Sequence, residues 1–203
     1  MPGEIFVVTA PSGTGKTTLL KSLMAADPRL RFSISYTTRP PRPGEVDGQD
    51  YFFVSPAEFR RLRDTGALAE WVEQFGYGYG TSRAWVQEVV KSGSDLVFDL
   101  DSRGARALKQ AFPAATLIFI LPPSLEELAR RLKHRGGLAP AELTRRLENG
   151  RAELQEVPWY DYLVINDDVP TALANLQAVV QATRCRTSQL WPQLAPRFLT
   201  EST

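Results

Sequence analysis

The stretch from Glu4 to Leu23 constrains this chain more than any other. Ile5-Phe6-Val7-Val8 is an unbroken apolar run, the mark of a strand covered on both faces as in a parallel sheet. Ala10-Pro11-Ser12-Gly13-Thr14-Gly15-Lys16-Thr17 follows at once, and Thr18-Leu19-Leu20-Lys21-Ser22-Leu23 then reads as a helix. Strand, glycine-containing loop and helix in that order make a polyphosphate cradle. Backbone N–H groups point inward at a helix N-terminus, and glycines let the chain turn without Cβ clashes. Gly13 and Gly15 supply that freedom, Lys16 is placed to reach between β- and γ-phosphates, and the Thr17 hydroxyl is placed to ligate Mg²⁺. The strict pattern opens on glycine, where this chain has Ala10, a residue small enough for a position that demands close approach. The bland alternative is a glycine-containing turn with an exposed lysine. The loop from Ala10 to Thr18 implies ATP or GTP without specifying a reaction.

Further apolar runs at Asp95 to Leu100, Thr116 to Leu121 and Tyr162 to Ile165 alternate with helical patterns, so the fold class is α/β. The expected architecture is a P-loop NTPase-type parallel sheet flanked by helices. Ser124 with Glu127 forms a capping box ahead of Leu125, Leu128, Ala129 and Leu132, and Gly136-Gly137 is expected to stop that helix. Ser55-Pro56-Ala57-Glu58 repeats the logic. Pro140 and Pro170 open further helices, whose faces at Leu143, Leu147 and Leu154 and at Leu173, Leu176, Val179 and Val180 are expected to be core. The alternation breaks between Ser33 and Trp85, around Pro40, Pro41, Pro43 and the GYGYG run, which predicts an inserted, partly β subdomain over residues 33–85. Residues 133–146, polar and glycine-containing between two helices, have the make-up of a mobile lid. A single domain results, with its core in residues 1–32 and 86–183. The tail at 184–203 shows no period and stays unassigned.

Composition removes several classes of function. At 203 residues, with 43% hydrophobic and 23% charged residues, the chain can bury a core without disulfides. The balance of 24 Lys plus Arg against 23 Asp plus Glu leaves a net charge of +1, which argues for neither nucleic acid nor a membrane surface as partner. Any anion must be held by a local cluster. One cysteine, Cys185, and one histidine, His134, leave no disulfide and no zinc set. With no signal-peptide pattern at the N-terminus, a reducing cytoplasmic setting is expected.

In the insertion, Ser33-Ile34-Ser35-Tyr36-Thr37-Thr38-Arg39-Pro40-Pro41-Arg42-Pro43-Gly44-Glu45 sets two arginines three apart among prolines, ahead of Asp50-Tyr51-Phe52-Phe53. Guanidinium forks bind phosphate directionally, and tyrosine hydroxyls such as those of Tyr51 and Tyr79 add donors. A solvated basic turn is the competing reading.

At this block the chain resembles the guanylate kinases, nucleoside monophosphate kinases that make GDP from GMP and ATP. The matching pieces are APSGTGKTTL, SISYTTRPPRPGEVDGQDYFFVS, ALAEWVEQFGYGYGT, VFDLDSRGA, LIFILPPSLEELARRLKHRG and YDYLVINDD, in the family's order from Glu4 to about Thr183. The resemblance implies that Arg39, Arg42, Tyr51 and Tyr79 clamp the GMP phosphate. It implies that Glu70 accepts from guanine N1–H and N2 while Ser35 and Thr81 donate towards O6, and that Asp101 sits at the guanine end. Glu70 read alone is a solvated residue beside Trp71, and Asp101 alone is a helix cap. Asp99 is placed nearer a water-bridged Mg²⁺, with Thr17 as the other metal ligand. Arg131, Arg135 and Arg146 match family positions that close over the ATP, and Asn166 matches one near the adenine. Arg130 and Arg145 are expected to face solvent.

Three departures stand out. Gly78 replaces one of two adjacent tyrosines usual before Gly80, so a packing aromatic is lost; Arg103 replaces a common glutamine; and Gly150 interrupts a helix, at a cost of about 1 kcal/mol in an exposed interior. Two other readings compete with ATP-dependent GMP phosphorylation. A kinase acting on a ribose bisphosphate would share the ATP half and should lack the guanine set. A non-catalytic guanylate-kinase-like interaction module typically has a damaged phosphate loop, whereas Gly15, Lys16 and Thr17 are present here.

Overall fold

The computed structural model describes residues 2–74, 76–134 and 140–199. Five parallel strands, β1 (Ile5–Thr9), β2 (Leu30–Phe32), β7 (Asp95–Asp99), β8 (Thr116–Leu121) and β9 (Tyr162–Ile165), form the main sheet in the order β2-β7-β1-β8-β9. All of β1 is buried, as its unbroken apolar run requires. Its alternate side chains feed two cores. Phe6 and Val8 pack with Leu19 and Leu23 of α1 (Lys16–Ala26) and Leu176 and Val180 of α7 (Val169–Arg184). Ile5 and Val7 pack with Val86 of α3 (Arg83–Lys91) and Leu108 of α4 (Ser102–Ala111). Local caps fix where three helices start. Ser82 Oγ accepts from Trp85 N–H, Asp101 Oδ1 from Gly104 N–H and Asp168 Oδ1 from Thr171 N–H, each worth about 1 kcal/mol.

A second sheet of four strands holds β3 (Ser35–Thr37), β4 (Tyr51–Phe53), β5 (Leu68–Gln74) and β6 (Tyr77–Ser82) in the order β4-β3-β6-β5. The GYGYG run lies on β6, and period-two alternation explains it. Tyr79 and Thr81 point to one face, Gly78 and Gly80 to the other. A Cβ on Gly78 would come within 2.6 Å of the ring of Phe59 on α2 (Pro56–Asp64). The aromatic packing that the sequence reading counts as lost is therefore supplied from α2, whose buried Phe59 lies against the bare backbone of β6.

Other expectations need correction. The face of α6 (Pro140–Leu154) is not core, since Leu143, Leu147 and Leu154 are only half-buried. Gly150 is buried rather than exposed: a Cβ there would come within 3.3 Å of Leu128 on α5 (Leu125–His134) and 3.7 Å of Pro11. The glycine lets α6 approach α5 and the phosphate loop closely. Within the stretch read as a lid, the described parts are helical, α5 running through His134 and α6 starting at Pro140. Arg135, Gly136 and Gly137 lie outside the described residues. The unassigned tail forms α8 (Thr187–Leu199), with Pro192 and Pro196 inside it and Trp191 stacked on Phe198 at 6.4 Å. Two internal prolines hide a helix from any periodicity argument.

At the amino ends of the strands, opposite the phosphate loop, Asp95 is fully buried. Its Oδ1 accepts from Glu4 N–H at 2.7 Å and its Oδ2 from Arg184 Nε at 2.7 Å, while Arg184 also pairs with Asp27 at 2.6 Å. One carboxylate thus ties β1, β7 and the end of α7 together. Asp95→Ala should strip a buried partner from Arg184 and cost about 3 kcal/mol. Thermal melting should show this as a fall in Tm of roughly 10 °C.

Candidate active site

The phosphate loop leaves β1 at its carboxyl end and enters α1 through Gly15, which has φ of 94°, as Gly13 has φ of 93°. Both positions need glycine twice over. A Cβ on Gly15 would come within 2.6 Å of Asn166 Nδ2, and one on Gly13 within 2.8 Å of Leu132. The loop is braced from inside. Thr14, fully buried, donates its hydroxyl to Pro11 O at 2.6 Å, and Asn166 Nδ2 donates to Thr14 O at 2.7 Å. The structure thus gives Asn166 a place that the sequence reading misses: it is buried against the loop, and its amide supports the loop backbone.

Two arginines reach the same loop from α5 and α6. Arg131 donates to Asn166 O at 2.9 Å, Asp167 O at 3.2 Å and Thr14 O at 3.4 Å, and Arg146 donates to Ser12 Oγ at 3.3 Å. Each is held by a glutamate four residues earlier, with Glu127 Oε1 at 2.7 Å from Arg131 Nε and Glu142 Oε1 at 2.8 Å from Arg146 Nε. The same glutamates hold Arg130 and Arg145 at i+3, both of which are solvent-exposed as expected. Glu-x-x-Arg-Arg therefore occurs twice, at Glu127 and at Glu142. The spacing was legible in the sequence, because residues three and four apart share a helix face. Arg130 and then Arg131 hold the Glu127 carboxyl down at about 2, so it is ionised at neutral pH.

The second sheet gathers the guanine and phosphate candidates by register. Glu70 pairs with Thr81, Thr37 with Tyr79 and Ser35 with Tyr51. Paired residues point to the same side, and so do residues two apart on a strand. Ser35, Tyr51, Glu70, Tyr79 and Thr81 therefore share one face. Arg39, just beyond β3, is buried, with its guanidinium 5.3 Å from the Tyr51 ring centre. Its Nη2 donates to both oxygens of Glu45, at 2.8 and 2.9 Å, and Arg42 N–H donates to the same carboxylate at 2.7 Å. Glu45, to which the sequence alone assigns no role, orients the Arg39 guanidinium. Arg42 itself is exposed.

Glu70 is buried, and Thr81 Oγ1 donates to its Oε1 at 2.6 Å. A hydroxyl has one proton. The Thr81 proton expected to point at a guanine oxygen is committed to Glu70, so Thr81 fixes the carboxylate instead. Burial pushes the Glu70 carboxyl up to about 7, against the pull of Thr81 and with a further push from Asp101.

The two halves meet at the carboxyl end of β7, beside the central strand, where open α/β sheets place their ligands. Asp99 forms an ion pair with Lys16. With Thr17, Leu20 and Met24 it lines a cavity of about 450 Å³, and with Ser35 and Tyr51 a second of about 160 Å³. Asp101 caps α4 with one oxygen and pairs with the exposed Arg103 through the other at 3.3 Å, so the helix-cap reading describes its present contacts.

Comparison with known proteins agrees with this geometry. The family model described as guanylate kinase matches residues 3–183. The guanylate kinase of Aromatoleum aromaticum is 47% identical over 92% of this chain and 91% of its own. That of Geobacter metallireducens is 46% identical over 97% of both. The crystal structure of guanylate kinase from Anaplasma phagocytophilum superposes with a TM-score of 0.72 at 32% identity, covering 99% of this chain and 98% of that one. A sugar kinase from Janibacter, 17% identical with a TM-score of 0.53, shares the fold alone. With a matching family model over residues 3–183 and relatives 46–47% identical over nearly the whole length, this chain belongs to the guanylate kinase family.

Proposed function

We infer that this chain transfers the γ-phosphoryl group of ATP to GMP, giving ADP and GDP. The observation that carries the reading is the meeting of two sites at Asp99. An intact phosphate loop lies on one side, and on the other a sheet face carries Glu70, Thr81, Tyr51 and Tyr79 with Arg39 beside it. Guanine presents N1–H and N2 donors, which suit the Glu70 carboxylate. Adenine lacks both the N1–H and the 2-amino group and would bring no such donor pair to that carboxylate. Arg39, Arg42, Tyr51 and Tyr79 would hold the GMP phosphate so that one of its oxygens attacks the γ-phosphorus in line as ADP leaves. Lys16, the loop N–H groups, Arg131 and Arg146 would stabilise the charge on the transferring group, and Arg135 is assigned with them from the family pattern alone. Ser35 and Asp101 complete the guanine end, and Asn166 supports the ATP side through the loop.

The residues present fit Mg²⁺. Thr17 and Asp99 are oxygen donors lining one cavity. That matches an ion bound through one or two protein groups and otherwise through water and phosphates. When bound, Mg²⁺ would be held by Thr17 and Asp99 and would supply charge neutralisation to the ATP phosphates. Residues 33–85 would serve as the GMP subdomain and residues 133–146 as the lid, their closure excluding water from ATP. Cys185 is a free, exposed thiol, which suits a reducing cytoplasm; no helix among the described residues is long and apolar enough to cross a membrane.

The test is ADP formation from MgATP with GMP, AMP or ribose 1,5-bisphosphate as acceptor. Turnover with GMP alone is the expected result. Turnover with the ribose bisphosphate would move the chain to that kinase class, and GMP binding without turnover would turn the reading to an interaction module.

A further inference from the structure

Glu153, on the last turn of α6, carries a carboxylate that the mechanism above does not use. Its Oε2 is buried, and nothing among the described residues hydrogen-bonds to it. Gly150, one helical turn earlier, is the residue whose bare backbone brings α6 against Pro11 of the phosphate loop. On that same stretch of α6, the charged groups that act on Glu153 are Lys16 and Asp101, and the half-buried Tyr160 feels its field in turn. Burial raises the Glu153 carboxyl above its ordinary range, Lys16 opposes that rise and Asp101 adds to it. A carboxylate oxygen left buried and unpaired is destabilising. Such a group points to use in a state where it gains a partner.

Lys16 already has one carboxylate, Asp99. On the reading above, Asp99 would serve Mg²⁺ when nucleotide binds and would then no longer be free to pair with Lys16. An ammonium has three donors, enough for phosphate and one carboxylate together. We propose that Glu153 is a positioning residue for Lys16: it takes up the ammonium as Asp99 releases it and holds the lysine along the transferring phosphate. The end of α6 would thereby be tied to the loop by a contact made only in the loaded state.

This inference rests on the phosphate-loop reading under Proposed function, and the test separates the two. Glu153→Gln and Glu153→Asp are made in the full chain, alone and with Lys16→Ala. Melting of the free protein and turnover, by single-turnover kinetics where activity is low, are then measured. Glu153→Gln should keep or raise Tm while lowering kcat about ten- to a hundredfold, with KM for GMP unchanged. Glu153→Asp should recover part of the loss. In the Lys16→Ala background Glu153→Gln should change nothing further, because the residue acts through the lysine. A fall in Tm with kcat unchanged would assign Glu153 a packing role and overturn the proposal, as would a loss of kcat that is fully additive with Lys16→Ala. A wild-type chain inactive with GMP, or a fully active Lys16→Ala variant, would instead remove the underlying reading.

Discussion

Lys16→Ala should lower kcat for GMP phosphorylation by roughly a thousandfold and leave KM for GMP within about twofold. Phosphoryl transfer asks little of the protein in proton chemistry and much in charge stabilisation, so removing the ammonium of Lys16 beside the phosphate loop removes an interaction that strengthens towards the transition state. The substitution is mild for the fold. Lys16 begins α1, Ala is the best helix former, and the released Asp99 stays about one-third exposed to water. GMP is held elsewhere, by Arg39, Arg42, Tyr51 and Tyr79, so its KM has no reason to follow. Steady-state kinetics at saturating ATP, with a melt to confirm an unchanged Tm, check both parts. A rise in KM for GMP that matches the fall in kcat/KM would mean that Lys16 serves substrate binding uniformly rather than the reacting phosphate.

How much of this was legible depends on whether the decisive contact is local. β1, β7, β8 and β9 read clearly because each is a short, largely apolar run. β2 did not, since three edge residues show no pattern and two of them are exposed. Both Glu-x-x-Arg-Arg pairs were open to local reading, and the resemblance picked out Arg131 and Arg146 without the glutamates that hold them. Where register or helix packing decides, sequence reasoning fell short. That the Thr81 proton goes to Glu70 depends on a cross-strand pairing eleven residues apart in the chain. Gly150 looked like an exposed flaw, because the neighbours that bury it, Leu128 and Pro11, come from other elements. Glu153 looked like one more charge on a polar helix. Only the packing of α6 buries one of its oxygens without a partner.

Glu70→Gln should lower kcat/KM for GMP about a hundred- to a thousandfold at about pH 8, and should also remove a pH limb centred near pH 7. Guanine brings two donors to Glu70, and a carboxylate accepts both, whereas an amide offers one oxygen and turns its own N–H group on the second donor. The pH limb follows from burial. The Glu70 carboxyl, ordinarily near 4.5, is pushed up to about 7 by desolvation, with Thr81 opposing and Asp101 adding. Below that pH the free enzyme holds a protonated Glu70 that cannot accept from N1–H, so kcat/KM for GMP should fall about tenfold per pH unit while the KM for ATP stays flat. The second ionisation of the GMP phosphate, near pH 6, adds a further limb that the Gln variant should retain, which separates substrate from enzyme. Stability should move the opposite way. Between about 4.5 and 7 the folded chain keeps a proton that the unfolded chain has lost, so free-protein stability declines as pH rises through this window, by about 3 kcal/mol in all. Glu70→Gln has no such ionisation, so above pH 7 it should melt higher than the wild type while discriminating GMP from AMP far less. A variant that keeps the limb near pH 7 would place that titration on another group, and one that keeps its preference for GMP would show that groups other than the carboxylate, such as the Ser35 hydroxyl, read the base.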